Sequence, residues 1–229
     1  MKRSHFRYSC AALLILGAAF AQGAPAVDFS GLFLGGNYGR AYNGYDTSTI
    51  DSAFQSSAAS AGDTLSKSSG HVQRGLNAWW FNAGYWFLPN FGVDAAYLHL
   101  GSWNYNAVGT LKTLAGNEPI TTGAAVTSRG PALSLLARLP LTESFEVDAR
   151  VGDYYGRTSL NTFFNLNSQY TATPASASSS SLLLGVGGGF TFAGHWCIRV
   201  DYLRINQAGT GNTGKYSVNF PSAGVTYTF

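Results

Sequence analysis

The chain has 229 residues, 28 of them Gly and 13 Tyr, and only 11% are Asp, Glu, Lys or Arg, against about 25% in an ordinary soluble domain. Its hydrophobic content of 45% is ordinary, so Gly, Ser, Thr and Asn stand in for the missing charge, which excludes a disordered chain and a polytopic helical membrane protein. The net charge of +3 comes from Lys2, Arg3 and Arg7; removing those three of the 14 basic residues leaves 11 against 11 acidic ones, and nucleic acid is not an expected partner.

Residues 1–21 have the three parts of a secretory signal peptide. A basic start at 2–7 precedes an apolar run at 10–20, and Ala19 and Ala21 stand at the small-residue positions for a cut before Gln22. A cut after Ala26 is disfavoured by Pro25. The run has about eleven apolar residues and at roughly 1.5 Å each covers only half a bilayer core, so export is expected rather than an anchor helix. Cys10 leaves with this leader. Cys197 is then the one cysteine of residues 22–229, and no internal disulfide is expected.

Residues 22–229 contain no apolar stretch near the roughly 20 residues of a spanning helix. Period-two patterns dominate instead. Phe145, Val147, Ala149 and Val151 alternate with Glu146, Asp148, Arg150 and Gly152, and Trp196, Ile198, Val200 and Tyr202 alternate with Cys197, Arg199, Asp201 and Leu203. A soluble sandwich would show the same alternation, so these two strands do not decide between water and lipid.

The spacing predicts eight strands, at 30–42, 76–87, 91–105, 124–139, 145–159, 179–193, 195–205 and 215–229. Connections at 88–90, 140–144 and 194 are tight, whereas those at 43–75, 106–123 and 160–178 are long and polar. Short turns at one end and long loops at the other predict an all-β fold. The expected form is an eight-stranded antiparallel up-and-down transmembrane β-barrel with four long extracellular loops and three short periplasmic turns. Phe87, Phe91, Phe145, Phe192, Trp196, Tyr227 and Phe229 fall at the short-turn end and Trp103, Tyr105, Tyr154, Tyr155, Tyr202 and Tyr216 near the long loops, as two aromatic girdles. The apolar phase changes near Pro221, which predicts a bulge there.

Eight strands enclose only enough space for side chains. Alternation places Asp94, Glu146, Asp148 and Asp201 inside with Arg138, Arg150 and Arg199. Buried charge must be paired, so an interlocked ion-pair network that plugs the barrel is expected. Gly185, Gly187 and Gly189 lie on the same inward face and leave room for the arginines.

The run Phe91-Gly92-Val93-Asp94-Ala95-Ala96-Tyr97-Leu98-His99-Leu100-Gly101 resembles the third strand of the OmpA-type transmembrane domain. Arg129-Gly130-Pro131, Leu139-Pro140-Leu141-Thr142-Glu143-Ser144-Phe145 and Asp148-Ala149-Arg150-Val151-Gly152 are similar to its fourth strand, turn and fifth strand. Ser30-Gly31-Leu32-Phe33-Leu34-Gly35-Gly36, Gly187-Gly188-Gly189 and Arg199-Val200-Asp201-Tyr202 match other strands of it. The resemblance implies an outer-membrane barrel with an ion-paired interior. The chain reaches Phe229 without room for a peptidoglycan-binding domain, so wall anchoring is not carried over. The alternation Val225-Thr226-Tyr227-Thr228-Phe229 resembles the signal read by the barrel-assembly machinery, with Tyr227 and Phe229 carrying it.

Some small outer-membrane barrels resemble lipid A deacylases or palmitoyl transferases, which use His with Ser. Here strand parity turns His99 away from Ser102, and His71 and His195 stand apart. No catalytic, metal or cofactor site is expected, and Gly185 to Gly189 precede no helix and form no phosphate loop. Lys112, Arg157, Arg204 and Lys215 near the outer end are candidate contacts for lipopolysaccharide phosphates. The expected role is a structural outer-membrane protein of a Gram-negative bacterium, with loops available for surface adhesion to a host ligand. A narrow, low-conductance porin-like channel is the alternative and a lipid A-modifying enzyme the third reading.

Overall fold

The computed structural model describes residues 30–44, 51, 54–56, 59, 64–72, 75–113, 116–166, 169–210, 213 and 215–229. The expected signal peptide lies outside these residues. Among the described residues there are nine strands: β1 (Leu32–Asn43), β2 (Thr64–Val72), β3 (Gly75–Leu88), β4 (Phe91–Thr113), β5 (Gly116–Pro140), β6 (Phe145–Leu166), β7 (Gln169–Phe192), β8 (Trp196–Ala208) and β9 (Tyr216–Thr228). All pairings are antiparallel, and β1 bonds to both β3 and β9 while β4 bonds to β5, so eight strands close a ring without a free edge. The ninth, β2, pairs with the outer half of β4 above the end of β3.

The eight predicted strands all occur, but several are longer than the sequence suggested. β4 and β5 pair almost to the hairpin tip, from Phe91↔Ala137 to Thr113↔Gly116. β6 and β7 do the same up to Leu166↔Gln169. The segments expected as long loops at 106–123 and 160–178 are therefore mostly paired strand. Their Ser, Thr, Asn and Ala residues look like loop composition because the outer face there meets water. Antiparallel pairing within each hairpin still supplies backbone partners there.

The short ends are tight turns. Ala193 at φ 49° and Gly194 at φ 76° join β7 to β8. Two successive residues with positive φ match the right-handed twist of a hairpin. At Pro221 the register runs on without a shift, Tyr202↔Pro221 following Leu203↔Phe220, so no bulge forms there. One parity holds throughout β9: Tyr216, Val218, Phe220, Ser222 and Thr226 are buried and Val225 and Phe229 exposed. What changes near Pro221 is the medium on each side. The upper interior is apolar and the lower exterior faces lipid, so the apolar residues swap faces while the strand stays regular.

The interior has two layers. Toward the outside, Leu98, Leu100, Trp103, Val126, Tyr154, Leu183, Leu203, Ile205, Tyr216, Val218 and Phe220 form one apolar cluster with Trp80 beneath them. Toward the short-turn end charged and polar residues dominate the inward positions, with Phe33 and Leu136 among them. Trp103, Tyr105, Tyr154 and Tyr216 thus belong to the interior, at 2%, 1%, 0% and 3% exposure, and not to the outer girdle expected of them. Period-two parity sends them inward. Of the expected outer set only Tyr155 and Tyr202 face outward, joined by Tyr38, Tyr42 and Tyr97. The periplasmic set Phe87, Phe91, Phe145, Phe192, Trp196 and Phe229 is exposed as a girdle requires.

Candidate functional site

The lower interior is organised around two arginines. Arg199 on β8 places Nη1 3.1 Å from Glu146 Oε1 and Nη2 3.2 Å from Asp201 Oδ1, and Nη2 also pairs with Asp148 Oδ1. Arg150 on β6 donates from Nη1 to Asp94 Oδ2 at 3.0 Å, and Asn82 Nδ2 reaches the same oxygen at 3.1 Å. Arg138 stands at the mouth. Its Nη1 is 3.6 Å from Glu146 Oε2, its Nε donates to the Pro89 carbonyl at 2.7 Å and its guanidinium lies 4.2 Å over the Trp86 ring. Six of the seven candidate interior residues thus meet in tight pairs, and Arg138 closes the same network from the periplasmic rim.

The geometry depends on the inward glycines of β7. A Cβ at Gly185 would sit 2.6 Å from Arg150 Cγ, one at Gly189 2.5 Å from Cys197 Sγ, and one at Gly187 would strike Asp201 Oδ1 with Arg199 Nη2 at 3.0 Å. These three positions leave the volume that the arginine chains occupy.

Asn82, Trp80 and Ser222 were not singled out in the sequence. Trp80 lies under the Arg150 guanidinium at 4.4 Å, and its Nε1 donates to Ser222 Oγ at 3.4 Å. It separates the charged layer from the apolar one. The alternation of Ala78, Trp80 and Asn82 against Trp79, Phe81 and Ala83 carried this signal. Below the network a cavity with about 50 Å³ open to water is lined by Arg138, Glu146, Asp148, Arg150 and Arg199 and faces the short-turn end.

At the closing seam Phe229 N–H donates to the Leu32 carbonyl at 3.0 Å. Tyr227 packs edge-on against Trp196 and Phe229, at 4.9 and 5.0 Å between ring centroids.

On the outer surface Lys112, Arg157, Arg204 and Lys215 are all exposed, but at different heights. Arg157 and Arg204 each stand two residues outward of an exposed tyrosine, Tyr155 and Tyr202. Lys112 stands beside the tip of the β4–β5 hairpin, opposite Asn117. At about 3.4 Å per residue it is roughly 45 Å along the strand from His99. Lys215 precedes Tyr216, which pairs with Ala208 above Arg204. Asp153 is an exposed carboxylate on the outer face of β6, held by Ser180 Oγ at 2.6 and 2.7 Å.

Strand parity misplaces Ser102 relative to His99. Gly101 has φ 80° and the register with β5 shifts between His99 and Ser102, so both residues face outward. His99 packs against Trp79 with tilted rings, 5.4 Å between centroids. No cluster of His, Cys, Asp and Glu suited to a metal occurs among the described residues.

The profile of the OmpA-like transmembrane domain matches residues 33–229. Neisserial surface protein A is similar in structure, with a TM-score of 0.52 and 13% identity over 87% of this chain and 98% of that one. The outer membrane protein OprG from Pseudomonas aeruginosa aligns with a TM-score of 0.42 and 16% identity over 87% of this chain and 96% of that one. The attachment invasion locus protein of Yersinia pestis, bound to the heparin analogue sucrose octasulfate, aligns with a TM-score of 0.40 and 12% identity over 87% and 99%. No curated protein sequence matches the chain.

Proposed function

Because the chain belongs to the family of OmpA-like transmembrane domains and is a bacterial outer-membrane β-barrel, we propose that it is a structural barrel whose sealed interior anchors stiff hairpins for contact at the cell surface. The observation that carries this reading is the double closure of the interior. Trp80, Leu98, Trp103, Tyr154, Leu183, Leu203 and Phe220 are each at most 2% exposed and fill the upper layer, while the Arg199 and Arg150 ion pairs fill the lower one. A protein close-packed across its section leaves no continuous water path.

Above the tyrosines the β4–β5 and β6–β7 ladders continue for many residues. Paired strands hold their tips at a fixed distance from the membrane, which suits adhesion better than a mobile loop would. The narrow-channel alternative draws on the polar cavity near the periplasm, but ions leaving it would have to pass Trp80 and the apolar layer above.

Planar-bilayer recording tests the closure: rare or small openings are expected, and steady large conductance would overturn it. The surface role is tested by trimming 106–123 and 160–178 to short turns and measuring attachment of expressing cells to host extracellular matrix. Attachment should fall while folded barrel persists, and unchanged attachment would leave the hairpins without that role.

A further inference from the structure

The outer surface carries a second pattern that the interior does not explain. Around four neighbouring strands the register Trp79↔His99, His99↔Arg129 and Arg129↔Arg157 sets one lateral row on β3, β4, β5 and β6. Arg129 and Arg157 are exposed, and Trp79 and His99 are partly so. The row directly beneath it is apolar: Phe81 and Tyr97 are paired, Tyr97 and Pro131 are paired, and Tyr155 follows on β6. The next outward-facing residues above it are Ser102, Thr127 and Ser159. The cationic row therefore lies where the lipid-facing surface gives way to water.

Its charges are unbalanced. Directly opposed like charges on one sheet face are destabilising, yet Arg129 and Arg157 face each other and neither forms an ion pair among the described residues. Arg157 spends one Nη2 hydrogen on Ser176 Oγ at 3.3 Å. The nearest acid on that strand, Asp153, lies four residues toward the periplasm and is held by Ser180. An anion between the guanidinium groups would relieve the repulsion and accept charge-assisted hydrogen bonds from both. Arg204, by contrast, is a single cation opposite Asn219, with its Nε directed to Asn206 Oδ1 at 3.1 Å.

We propose that the His99–Arg129–Arg157 row is a binding site for the phosphorylated sugar headgroup of an outer-leaflet glycolipid, that is, of lipid A, with the acyl chains lying along the Phe81, Tyr97, Pro131 and Tyr155 tier. The occupant is fixed by three features together: phosphate-matching cations, an apolar tier directly below them, and the height of the outer leaflet. The site rests on the membrane orientation of the barrel and not on any adhesive role of the hairpins. Adhesion can therefore fail its test without touching this one.

Purified, folded barrel in detergent is titrated with lipid A, with dephosphorylated lipid A and with phosphatidylglycerol, and retained lipid is counted by native mass spectrometry. Folding of each variant is checked by heat-modifiable gel mobility. Lipid A should bind at least tenfold tighter than either of the other two. With each cation contributing near a charged surface, R129Q/R157Q should lose about thirtyfold, and R129K/R157K should lose less than R129Q/R157Q. Should R129Q/R157Q fail to fold, R157Q alone is expected to lose at least fivefold. Equal retention by R129Q/R157Q or R157Q and the parent, or equal binding of lipid A and its dephosphorylated form, overturns the proposal.

Discussion

Replacing Arg199 with Met removes the cation that Glu146, Asp148 and Asp201 share, leaving only Glu146 a second partner in Arg138. At about 3 Å and an effective dielectric near 20, each such pair has roughly 5 kcal/mol of Coulomb attraction before desolvation is counted. Desolvation offsets most of it. The side chains of Arg199, Asp148 and Asp201 are only 9%, 3% and 1% exposed, so the anions left behind recover little of their hydration. Breaking a buried pair on one side costs about 3–5 kcal/mol. Urea unfolding in phospholipid vesicles, followed by tryptophan fluorescence, reads this directly. With a slope of about 2 kcal/mol per molar the midpoint should fall by roughly 2 M. The charge-balanced variant R199M/D148N/D201N, which leaves Glu146 to Arg138, should recover to within about 1 kcal/mol of the parent. A midpoint for R199M within about 0.3 M of the parent, or a triple variant as weak as R199M, would show that the network is not held by charge balance.

Gly187→Val places side-chain atoms into Asp201 and Arg199 and should destabilise by about 3 kcal/mol; Gly188→Ala, whose Cβ would meet nothing nearer than the Glu146 carbonyl at 3.6 Å, should stay within about 0.5 kcal/mol. The same urea titration distinguishes them, and equal losses would contradict the assigned faces. Trp103 and Tyr216 pack edge-on at 4.7 Å in the upper layer. The double variant W103A/Y216A should lose about 5 kcal/mol or more and open discrete channels in planar bilayers; continued silence would mean that the lower layer seals alone. Phe229→Ala removes the ring that packs on Tyr227 at the β1–β9 seam, and the heat-modifiable form should accumulate more slowly in cells. An unchanged rate in pulse-chase gels would count against Tyr227 and Phe229 as an assembly signal.

The charge deficit, the alternation along 145–152 and 196–203 and the rhythm of tight and long connections determined the barrel, its strand positions and the interior set of Asp94, Glu146, Asp148, Asp201, Arg138, Arg150 and Arg199. Period two tells which residues share a face, and burial of charge requires partners. Neither says which partner. That Arg199 gathers three carboxylates while Arg150 takes Asp94 and Asn82 follows from register around the closed ring, which brings β6 and β8 together across the β7 glycines. Three further features also waited for the tertiary structure: Gly101 turning Ser102 to the side of His99, the ladders that run on up to Thr113 and Leu166, and the inward seats of Trp103, Tyr105, Tyr154 and Tyr216. A face has meaning only with its medium. The same inward parity meets charge at the periplasmic end and packed aromatics at the outer end, and a linear pattern carries no record of where along the barrel that exchange occurs.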